Sequence, residues 1–546
     1  MNLPVPLANE AAIHRLVDDI LVYIFVLNAT APDPDCREHA TTVASSQVCM
    51  RWRSIALHCP TIWGPIIHYS QHSLKWIETL LDRSHPSLLD FGSRITRIDT
   101  IDLEDGGQGV LELVFNHIDR LRIFNLKLPE SCWELVCSRF LQLPAPNLEF
   151  VNVTVFSTFY TRRGKVQQLT HPLFHHHAPN LQNLQLSQCR VDFTSPILSR
   201  LTELYVRDIA NSWVVPTVHD WLNIFGGMPS LRWVTLIRAI STWSSSTVTN
   251  VIYPIIHLAS LEMLSVDDGL RESVTLIEHL IVPPRCGLRF RCDDAHIWPS
   301  NQPKFWAIIE KKVDSWAKNV PNRYLEVWNT TGVFSFGNVK QRLDFVLWGT
   351  EAKILHDKQY IHLLDPVMTV TLHLPNPQDT FPSLLSLFAI FERTFFDTTH
   401  LDLSISNGLD NGPENFLPLV DMFRGFVNLK EMTLGLESLL LSLLPLLQRP
   451  LPNSVLLPAL QSLRLHNTMF KDTSSSLLRV ADFLRWRGEQ GFPVQEIHIA
   501  ESWINRKLIL THIQFQDTVV EIDDSNYWDS ESVDDVSEDD VEEDDN

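Results

Sequence analysis

A short apolar pattern recurs along this chain and restricts the folds open to it. A leucine (once a valine) is followed by two residues, an apolar residue, one residue and a second apolar residue. It occurs at Leu148-Val151-Val153, Leu181-Leu184-Leu186, Leu201-Leu204-Val206, Leu231-Val234-Leu236, Leu261-Leu264-Val266, Leu429-Met432-Leu434, Leu460-Leu463-Leu465 and Val494-Ile497-Ile499. Alternate residues of a strand point to opposite faces, so Leu184 and Leu186 are predicted to face inward and Gln185 outward. The pattern therefore predicts short strands with one buried face.

The spacing of the pattern indicates how these strands are arranged. The first five occurrences are 20 to 33 residues apart, and proline stands two residues before the leading leucine at Pro146, Pro179, Pro229 and Pro458. Proline presets the backbone for a turn, so the chain is predicted to turn just before each strand. Stacked units of this kind predict a parallel sheet, with helices or loops such as 221–225 and 416–423 on its other side. The alternative is an ordinary α/β domain with leucine-rich strands.

One occurrence extends to a longer motif. With Cys189 added, the pattern that begins at Leu181 becomes L-x-x-L-x-L-x-x-C, which resembles the leucine-rich-repeat signature. The resemblance implies an α/β fold with a leucine-rich-repeat-like solenoid over residues 71–510, in which each unit buries its apolar face only against its neighbours. The pattern is irregular over residues 283–365, where an insertion and degenerate repeats both remain open.

Two amphipathic helices are predicted near the N-terminus. The apolar residues of 13–27 are three or four positions apart, which places them on one face of a helix. A second stripe with helical spacing covers residues 48–56. The polar, proline-containing stretch at 29–42 predicts a loop between them. Pro60 is expected to end the second helix and Trp63 to fold back over the pair.

The residues of these helices resemble the F-box in order and spacing. The opening "LPxEIL..IF" is similar to Leu16-Val17-Asp18-Asp19-Ile20-Leu21 followed by Ile24-Phe25. The second half, "VCrrWRxiA…P.LW", is similar to Val48-Cys49-Met50-Arg51-Trp52-Arg53-Ser54-Ile55-Ala56 with Pro60 and Trp63. The resemblance is to the F-box-like proteins of mushroom-forming fungi, and it departs from them at Val17, where proline is usual. Helical periodicity by itself fits equally well a helical cap on the repeats.

The resemblance implies a function for the module at residues 1–70. An F-box-like module docks a Skp-type adaptor and, through it, a cullin–RING ubiquitin ligase. The docking surface, or the core beneath it, would be built by Leu16, Ile20, Leu21, Ile24, Val48, Cys49, Trp52, Pro60 and Trp63. The repeats would hold a target protein, and the chain itself would be a substrate receptor rather than an enzyme. One alternative, favoured by Val17, is a repeat scaffold that recruits no ligase.

Acidic residues are concentrated at the C-terminal end. The formal net charge is −21, and residues 517–546 hold 15 of the 65 acidic residues and no lysine or arginine. A run of like charges stays solvated, so residues 511–546 are predicted to be a disordered acidic tail. The rest of the chain is nearly balanced in charge, which disfavours a nucleic-acid partner.

The remaining sequence features predict a protein of the cytosol or nucleus. The N-terminal residues lack the features of a signal peptide, and the most apolar run, residues 436–447, is too short to cross a bilayer, so no membrane partner is expected. The eight cysteines are scattered and form no CxxC pair.

The search for catalytic and metal-binding motifs leaves one weak candidate. The sequence has no glycine-rich phosphate loop, HExxH helix or GxSxG turn. The best metal candidates are His171, His175, His176 and His177, but no cysteine or carboxylate completes a recognised zinc spacing. No metal or other cofactor is therefore expected, and an enzyme that uses this histidine-rich loop is a further alternative.

Overall fold

The chain forms two compact units in a computed structural model. The first unit comprises residues 1–265 with 275–283, and the second comprises residues 266–274 with 284–546. The structure describes residues 15–30, 38–67, 73–92, 107–156, 173–189, 191–209, 215–241, 252–284, 286–292, 303–311, 323–334, 338–348, 368–374, 389, 398–405, 420, 423–435, 437–448, 455–466, 469–470, 475–500, 503–504 and 518–522. The domain boundary predicted at residue 70 falls within the first unit.

Four helices begin the first unit. They are α1 (Asp18–Thr30), α2 (Glu38–Ser45), α3 (Met50–Leu57) and α4 (Leu74–Arg83). The two predicted stripes correspond to α1 and α3. The predicted loop over residues 29–42 is wrong at both ends, because α1 continues to Thr30 and α2 begins at Glu38. Packing against α1 buries Thr42 and Ser45, and the Ser45 hydroxyl bonds back to the carbonyl of Thr41 at 2.8 Å, so this polar segment is helical through tertiary contacts rather than through an apolar stripe.

A parallel sheet forms the larger part of the first unit. Its strands are β1 (Leu89–Phe91), β2 (Leu121–Pro129), β3 (Phe150–Phe156), β4 (Asn183–Ser187), β5 (Glu203–Arg207), β6 (Trp233–Ile237) and, beyond the short strand β7 (Ile256–His257), β8 (Met263–Asp267). The spatial order is β1-β2-β3-β4-β5-β6-β8, with β1 to β6 paired in parallel. The strand β7 pairs in parallel with β9 (Leu280–Ile281). Each of the first five occurrences of the apolar pattern overlaps one strand of the main sheet, as predicted.

The turns before the strands share one geometry. In each, the N–H of the leading leucine bonds to the carbonyl three residues earlier: Leu148 to Ala145 at 3.2 Å, Leu181 to Ala178 at 3.2 Å and Leu231 to Met228 at 3.3 Å. Proline occupies the second position of each of these turns, where its fixed φ angle fits. The predicted turn chemistry is therefore confirmed at these sites.

The residues that follow three successive strands also share one backbone conformation. Gln188, Asp208 and Arg238 follow β4, β5 and β6, and all three have a left-handed backbone, with φ between 47° and 58°. The N–H of Gln188 bonds to the carbonyl of Arg207, and that of Asp208 to the carbonyl of Ile237, both at 2.8 Å. This sharp bend takes the chain out of the sheet while keeping it bonded to the next strand.

The core of the first unit lies on one face of the sheet. The helices α5 (Gly107–Phe115), α6 (Glu130–Ser138) and α7 (Val218–Gly226) belong to this unit, whereas α8 (Leu270–Glu278) is divided between the two units. Leu184 and Leu186 are buried and Gln185 is half-buried, as the alternation predicts. A chain of phenylalanine rings continues the core from β1 to the segment before β4, with centroids 4.1 to 6.3 Å apart, formed by Phe91, Phe115, Phe124, Phe140 and Phe174.

The second unit contains a mixed sheet. Its strands are β10 (Gly287–Cys292), β11 (Arg323–Phe334), β12 (Asn338–Trp348), β13 (Met368–Leu374), β14 (Thr398–Ile405), β15 (Glu431–Gly435), β16 (Ser462–His466), β17 (Met469–Phe470), β18 (Glu496–Ala500), β19 (Trp503–Ile504) and β20 (Val519–Ile522). The order is β10-β13-β12-β11-β14-β15-β16-β18-β20, and β17 pairs with β19. Helices occur at 303–311 (α9), Glu437–Leu447 (α10) and Ser475–Glu489 (α11).

The irregular part of the sequence contains a long hairpin. The strands β11 and β12 pair in antiparallel fashion from Tyr324 opposite Trp348 to Phe334 opposite Asn338, and β12 is antiparallel to β13. The other paired strands of this sheet are parallel. The three remaining occurrences of the apolar pattern overlap β15, β16 and β18.

Mixed helices and parallel strands confirm the α/β class. The sheet also continues into the range predicted to be an acidic tail, because Val519 bonds to the carbonyl of Gln495 at 2.8 Å and β20 pairs with β18. The predicted tail beyond residue 522 lies outside the described residues, as does most of the predicted outer segment 416–423. Among the helices that the structure describes, none is both long and apolar enough to cross a membrane.

Candidate protein-docking surface

The helices at the start of the chain share a small aromatic core. Trp63 is fully buried, and its Nε1 donates a hydrogen bond of 2.8 Å to the carbonyl of Ala56 in α3. The ring of Trp52 in α3 meets the ring of Phe25 in α1 edge to face, with the centroids 5.2 Å apart. These contacts hold α3 against α1, so that each helix has a defined outer side.

Polar contacts fix the beginnings of α1 and α3 relative to each other. The Nη2 of Arg51 lies 2.6 Å from the Oδ1 of Asp18 and donates to the carbonyl of Leu16 at 2.5 Å. The Sγ of Cys49 caps α3 by accepting a hydrogen bond from the N–H of Trp52 at 3.4 Å. The residues that carry the motif resemblance therefore contact one another across the two helices.

The segment after α3 joins these helices to the sheet of the same unit. Gly64 lies so close to the carbonyl of Leu88 that a Cβ atom on Gly64 would be 2.2 Å from that oxygen. The N–H of Asp90 in β1 bonds to the carbonyl of Gly64 at 3.3 Å. The guanidinium of Arg83 stacks over the ring of Trp63 at 4.8 Å, and burial lowers the pKa of Arg83. The segment after α3 is thus attached to β1 by backbone contacts and to α4 by a side-chain contact.

Large apolar side chains remain exposed on these helices. Four belong to α1 or the residue before it and three to α3 or the turn before it: Val17, Ile20, Tyr23, Leu27, Val48, Met50 and Leu57. The exposed fraction is 62% at Val17, 45% at Ile20 and 89% at Met50. The spacing of three residues between Val17, Ile20 and Tyr23 places them on the same side of α1. We call these seven side chains the apolar docking surface, because exposed apolar groups gathered on one small module are typical of a protein-binding site.

The nine predicted binding residues differ in exposure. Two of them, Ile20 and Val48, belong to the apolar docking surface. Two others, Leu21 and Trp63, are fully buried and can only support that surface from beneath. The remaining five are half-buried: Leu16, Ile24, Cys49, Trp52 and Pro60.

Five residues of the apolar docking surface were missed as binding residues in the sequence: Val17, Tyr23, Leu27, Met50 and Leu57. The sequence carried a partial signal, because Leu27 belongs to the predicted helical stripe and Val17 marks the departure from the F-box motif. Spacing shows which residues share a helix face, but it does not show which part of that face neighbouring helices cover. Here α2, α3 and the turn at Pro60–Ile62 pack against α1, where Leu21 and Phe25 are buried and Ile20 is exposed.

The sheet of the first unit carries a row of polar residues on its outer face. Asn152, Gln185, Tyr205 and Thr235 lie side by side across β3 to β6 on the face opposite the core, and each is half-buried. We call them the polar row. Arg207 follows two residues after Tyr205 on this face, and a hydrogen bond to the Tyr205 side chain is the largest of the influences that raise the pKa of Arg207. The row offers hydrogen-bonding groups of several kinds to a partner.

The described part of the histidine-rich loop comprises three of its four histidines. His175, His176 and His177 are exposed around a turn, while His171 lies outside the described residues. In the part of the chain that the structure describes, no group of three or more histidine, cysteine or acidic side chains could hold a metal ion. Cys189 is buried, its Sγ donates to the carbonyl of Val153 at 3.5 Å, and burial raises the pKa of its thiol.

Two comparisons with known sequences were negative. No protein-family model matches this chain, and no curated protein is significantly similar to it. The resemblance to the F-box and to leucine-rich repeats therefore depends on the motif residues themselves and on the positions they occupy in the fold.

Proposed function

We propose that this chain is a substrate-receptor subunit of a cullin–RING ubiquitin ligase. Its N-terminal helices act as an F-box-like module that binds a Skp-type adaptor, and its repeats form a leucine-rich-repeat-like solenoid that binds a target protein. The chain contributes position rather than bond chemistry, and it works in the cytosol or nucleus, where its partners act.

The apolar docking surface is the observation that carries this proposal. Its residues lie in and beside the two stretches that resemble the F-box motif, and Ile20 and Val48 are motif residues with 45% and 58% of their surface exposed. Covering a large apolar side chain yields roughly 1.5–3 kcal/mol, so a few such residues supply much of the free energy of a helix-mediated interface. The Arg51–Asp18 pair and the Trp63 anchor keep the surface in one geometry before binding.

The polar row supports the second half of the proposal. Its residues alternate with the buried leucines of the apolar pattern, so they can change without loss of the core. A face that combines amide, phenol and hydroxyl groups with the exposed guanidinium of Arg207 suits a polar protein target better than a lipid or a small apolar ligand.

Co-purification of the full-length chain with the host's Skp-type adaptor tests the proposal. We expect the wild-type chain to retain the adaptor and Ile20→Asp to lose it, because a charge would be buried at the centre of an apolar contact. Leu478→Asp is the matched control, since Leu478 is an exposed leucine of α11 with 54% of its surface accessible. Melting curves of both variants confirm that the fold persists. Retention of the adaptor by folded Ile20→Asp contradicts the proposal.

A repeat scaffold without ligase recruitment is the second candidate. Val17 favours it, because the F-box motif has a proline at this position and Val17 is part of the exposed surface here. The same experiment distinguishes the two, since a scaffold of this kind leaves the adaptor unbound in the wild-type chain while the polar row remains able to bind a target.

A further inference from the structure

Two arginines lie close together at the α3 side of the apolar docking surface. Arg53 is an exposed residue of α3, and spacings of three and four residues place it on the same side of that helix as Met50 and Leu57, two members of the surface. Arg83 is the half-buried last residue of α4. Within the part of the chain that the structure describes, neither guanidinium forms an ion pair or donates a hydrogen bond.

Two tryptophan rings hold Arg83 next to α3. The guanidinium carbon of Arg83 lies 4.8 Å from the ring centroid of Trp63 and 5.1 Å from that of Trp76. Trp63 is itself bonded to α3 through the carbonyl of Ala56, which follows Arg53 by about one helical turn. A guanidinium that lies over aromatic rings keeps a fixed plane, and its N–H groups remain free to donate from the edge of that plane. Arg83 is therefore a preorganised donor beside Arg53.

The two positive charges repel each other. Burial is the main cause that lowers the pKa of Arg83, and the neighbouring charge of Arg53 is the second. Arg51, two residues before Arg53, differs from both, because its guanidinium lies 2.6 Å from a carboxylate oxygen of Asp18. Like charges that are held together destabilise the free chain, and a carboxylate that pairs with both of them relieves this repulsion. The two arginines are therefore arranged to receive an anionic group.

We propose that Arg53 and Arg83 bind an acidic side chain of the adaptor that covers the apolar docking surface. This inference rests on the proposed function, and it adds the group that the partner must present, a carboxylate beside the apolar contacts of Met50 and Leu57. A guanidinium offers several N–H donors in one plane, which suits the two oxygens of a carboxylate. Aspartate and glutamate supply such a group without modification of the adaptor. Ion pairs at the rim of an apolar interface act mainly on the association rate and on the choice of partner.

Calorimetric titration of the full-length chain with the host's Skp-type adaptor, at several salt concentrations, tests this inference. We expect the Kd of the wild-type chain to rise with salt, because salt screens the ion pairs. Arg53→Gln should raise the Kd about two- to fivefold and make it less sensitive to salt. Arg53→Glu should raise the Kd more than about tenfold, because two carboxylates would then face each other. Arg485→Glu is the matched control, since Arg485 is an exposed arginine of α11 in the other unit, and it should leave the Kd unchanged.

Substitutions at Arg83 test its part in the site. Arg83→Gln removes the charge and should raise the Kd about two- to fivefold, whereas Arg83→Lys keeps the charge and should raise it less. Melting temperatures show how far each substitution weakens the contact with Trp63 and Trp76, and the titrations are made well below the lower of the two. The same Kd for the wild-type chain and both folded variants would overturn the role of Arg83.

The outcomes separate this inference from the proposed function. If the wild-type chain does not bind the adaptor, both are overturned. If the wild-type chain binds and Ile20→Asp does not, but folded Arg53→Glu binds as tightly as the wild-type chain, only the acidic contact is overturned.

Variants of the adaptor identify the acidic group. Its exposed acidic residues are changed to lysine one at a time, and one of these adaptor variants should bind the Arg53→Glu chain more tightly than the unchanged adaptor does. Rescue by none of them contradicts the carboxylate contact. The titrations are repeated after phosphatase treatment of the adaptor. The effect of Arg53→Gln should persist, and its loss would assign the contact to a phosphate and overturn the carboxylate.

Discussion

Two buried arginines stabilise turns in this protein without an acidic partner in direct contact. The guanidinium of Arg487 in α11 donates to the carbonyls of Phe492, Leu456 and Leu457 at 2.9–3.1 Å. Arg120 donates in the same way to carbonyls and a hydroxyl of the segment 81–87. Burial lowers the pKa of both, to about 10 for Arg487, which leaves that guanidinium charged at neutral pH. Each arginine joins segments that are far apart in sequence, so the local sequence pattern does not reveal its stabilising role.

Replacement of Arg487 tests this role at the residue scale. Arg487→Ala leaves three carbonyls without their donor and opens space in the core, so we expect the free energy of unfolding to fall by about 3 kcal/mol. Arg485→Ala, two residues earlier on the same helix, removes only an exposed pair with Asp482 and should change it by less than about 1 kcal/mol. Chemical denaturation measures both. A similar loss in the two variants would contradict the structural role of Arg487.

At the scale of elements, the junction between α3 and β1 sets the position of the helical module. It depends on a close approach of two backbones, since Gly64 lies against the carbonyl of Leu88 and bonds to the N–H of Asp90. Ile67 and Phe91 form a parallel bridge immediately beside this contact. Only a residue without a side chain fits here, because any Cβ atom would meet a backbone oxygen that cannot rotate away.

Alanine substitution at two glycines separates this steric effect from helix propensity. Gly64→Ala should lower the free energy of unfolding by roughly 2 kcal/mol or more, since the strand and the helical module must move apart. Gly488→Ala should raise it by about 0.5–1 kcal/mol, because Gly488 lies in α11 and a Cβ atom there meets nothing within 4 Å. If denaturant titrations show that both substitutions change the free energy of unfolding in the same direction, the close approach at Gly64 is refuted.

At the scale of the whole molecule, the last described strand is followed directly by most of the acidic residues near the C-terminal end. The strand β20 holds the last described residues, and the Thr518 hydroxyl donates to the carbonyl of Val494 at 3.0 Å just before it. The residues from 523 onward carry 13 of the acidic side chains, so a chain that ends at Ile522 has a formal net charge of −8 in place of −21. The acidic residues from 523 onward can therefore be removed without removing β20.

Two truncations compare these contributions. A chain that ends at Ile522 should keep the unfolding free energy of the full-length chain, because β20 is retained and mutual repulsion of acidic groups is reduced. A chain that ends at Asp517 loses the ladder between β18 and β20 and should be less stable by about 2 kcal/mol. Thermal and denaturant melts measure the difference. Equal stability of the two truncated chains would show that β20 adds nothing to the second unit.

The local pattern of the sequence determined the strands and the turns that precede them. Apolar residues at every second position require a strand with one buried face, and a proline before a leucine favours a turn wherever it occurs. These rules act over a few residues, and they held for β3, β4, β5, β6, β8, β15, β16 and β18. They also located α1 and α3, because a helical stripe is equally local.

Tertiary structure alone decided the features that depend on distant partners. In β2 the residues from Ile123 to Leu126 are all buried, so the alternation is interrupted there. The strands β11 and β12 form a hairpin that interrupts the parallel order, and α2 is helical because it packs on α1. The exposure of Ile20 beside the buried Leu21 likewise follows from which side of α1 its neighbours cover. Periodicity specifies what a segment can bury, but the choice of partner is made by contacts between residues far apart in the chain.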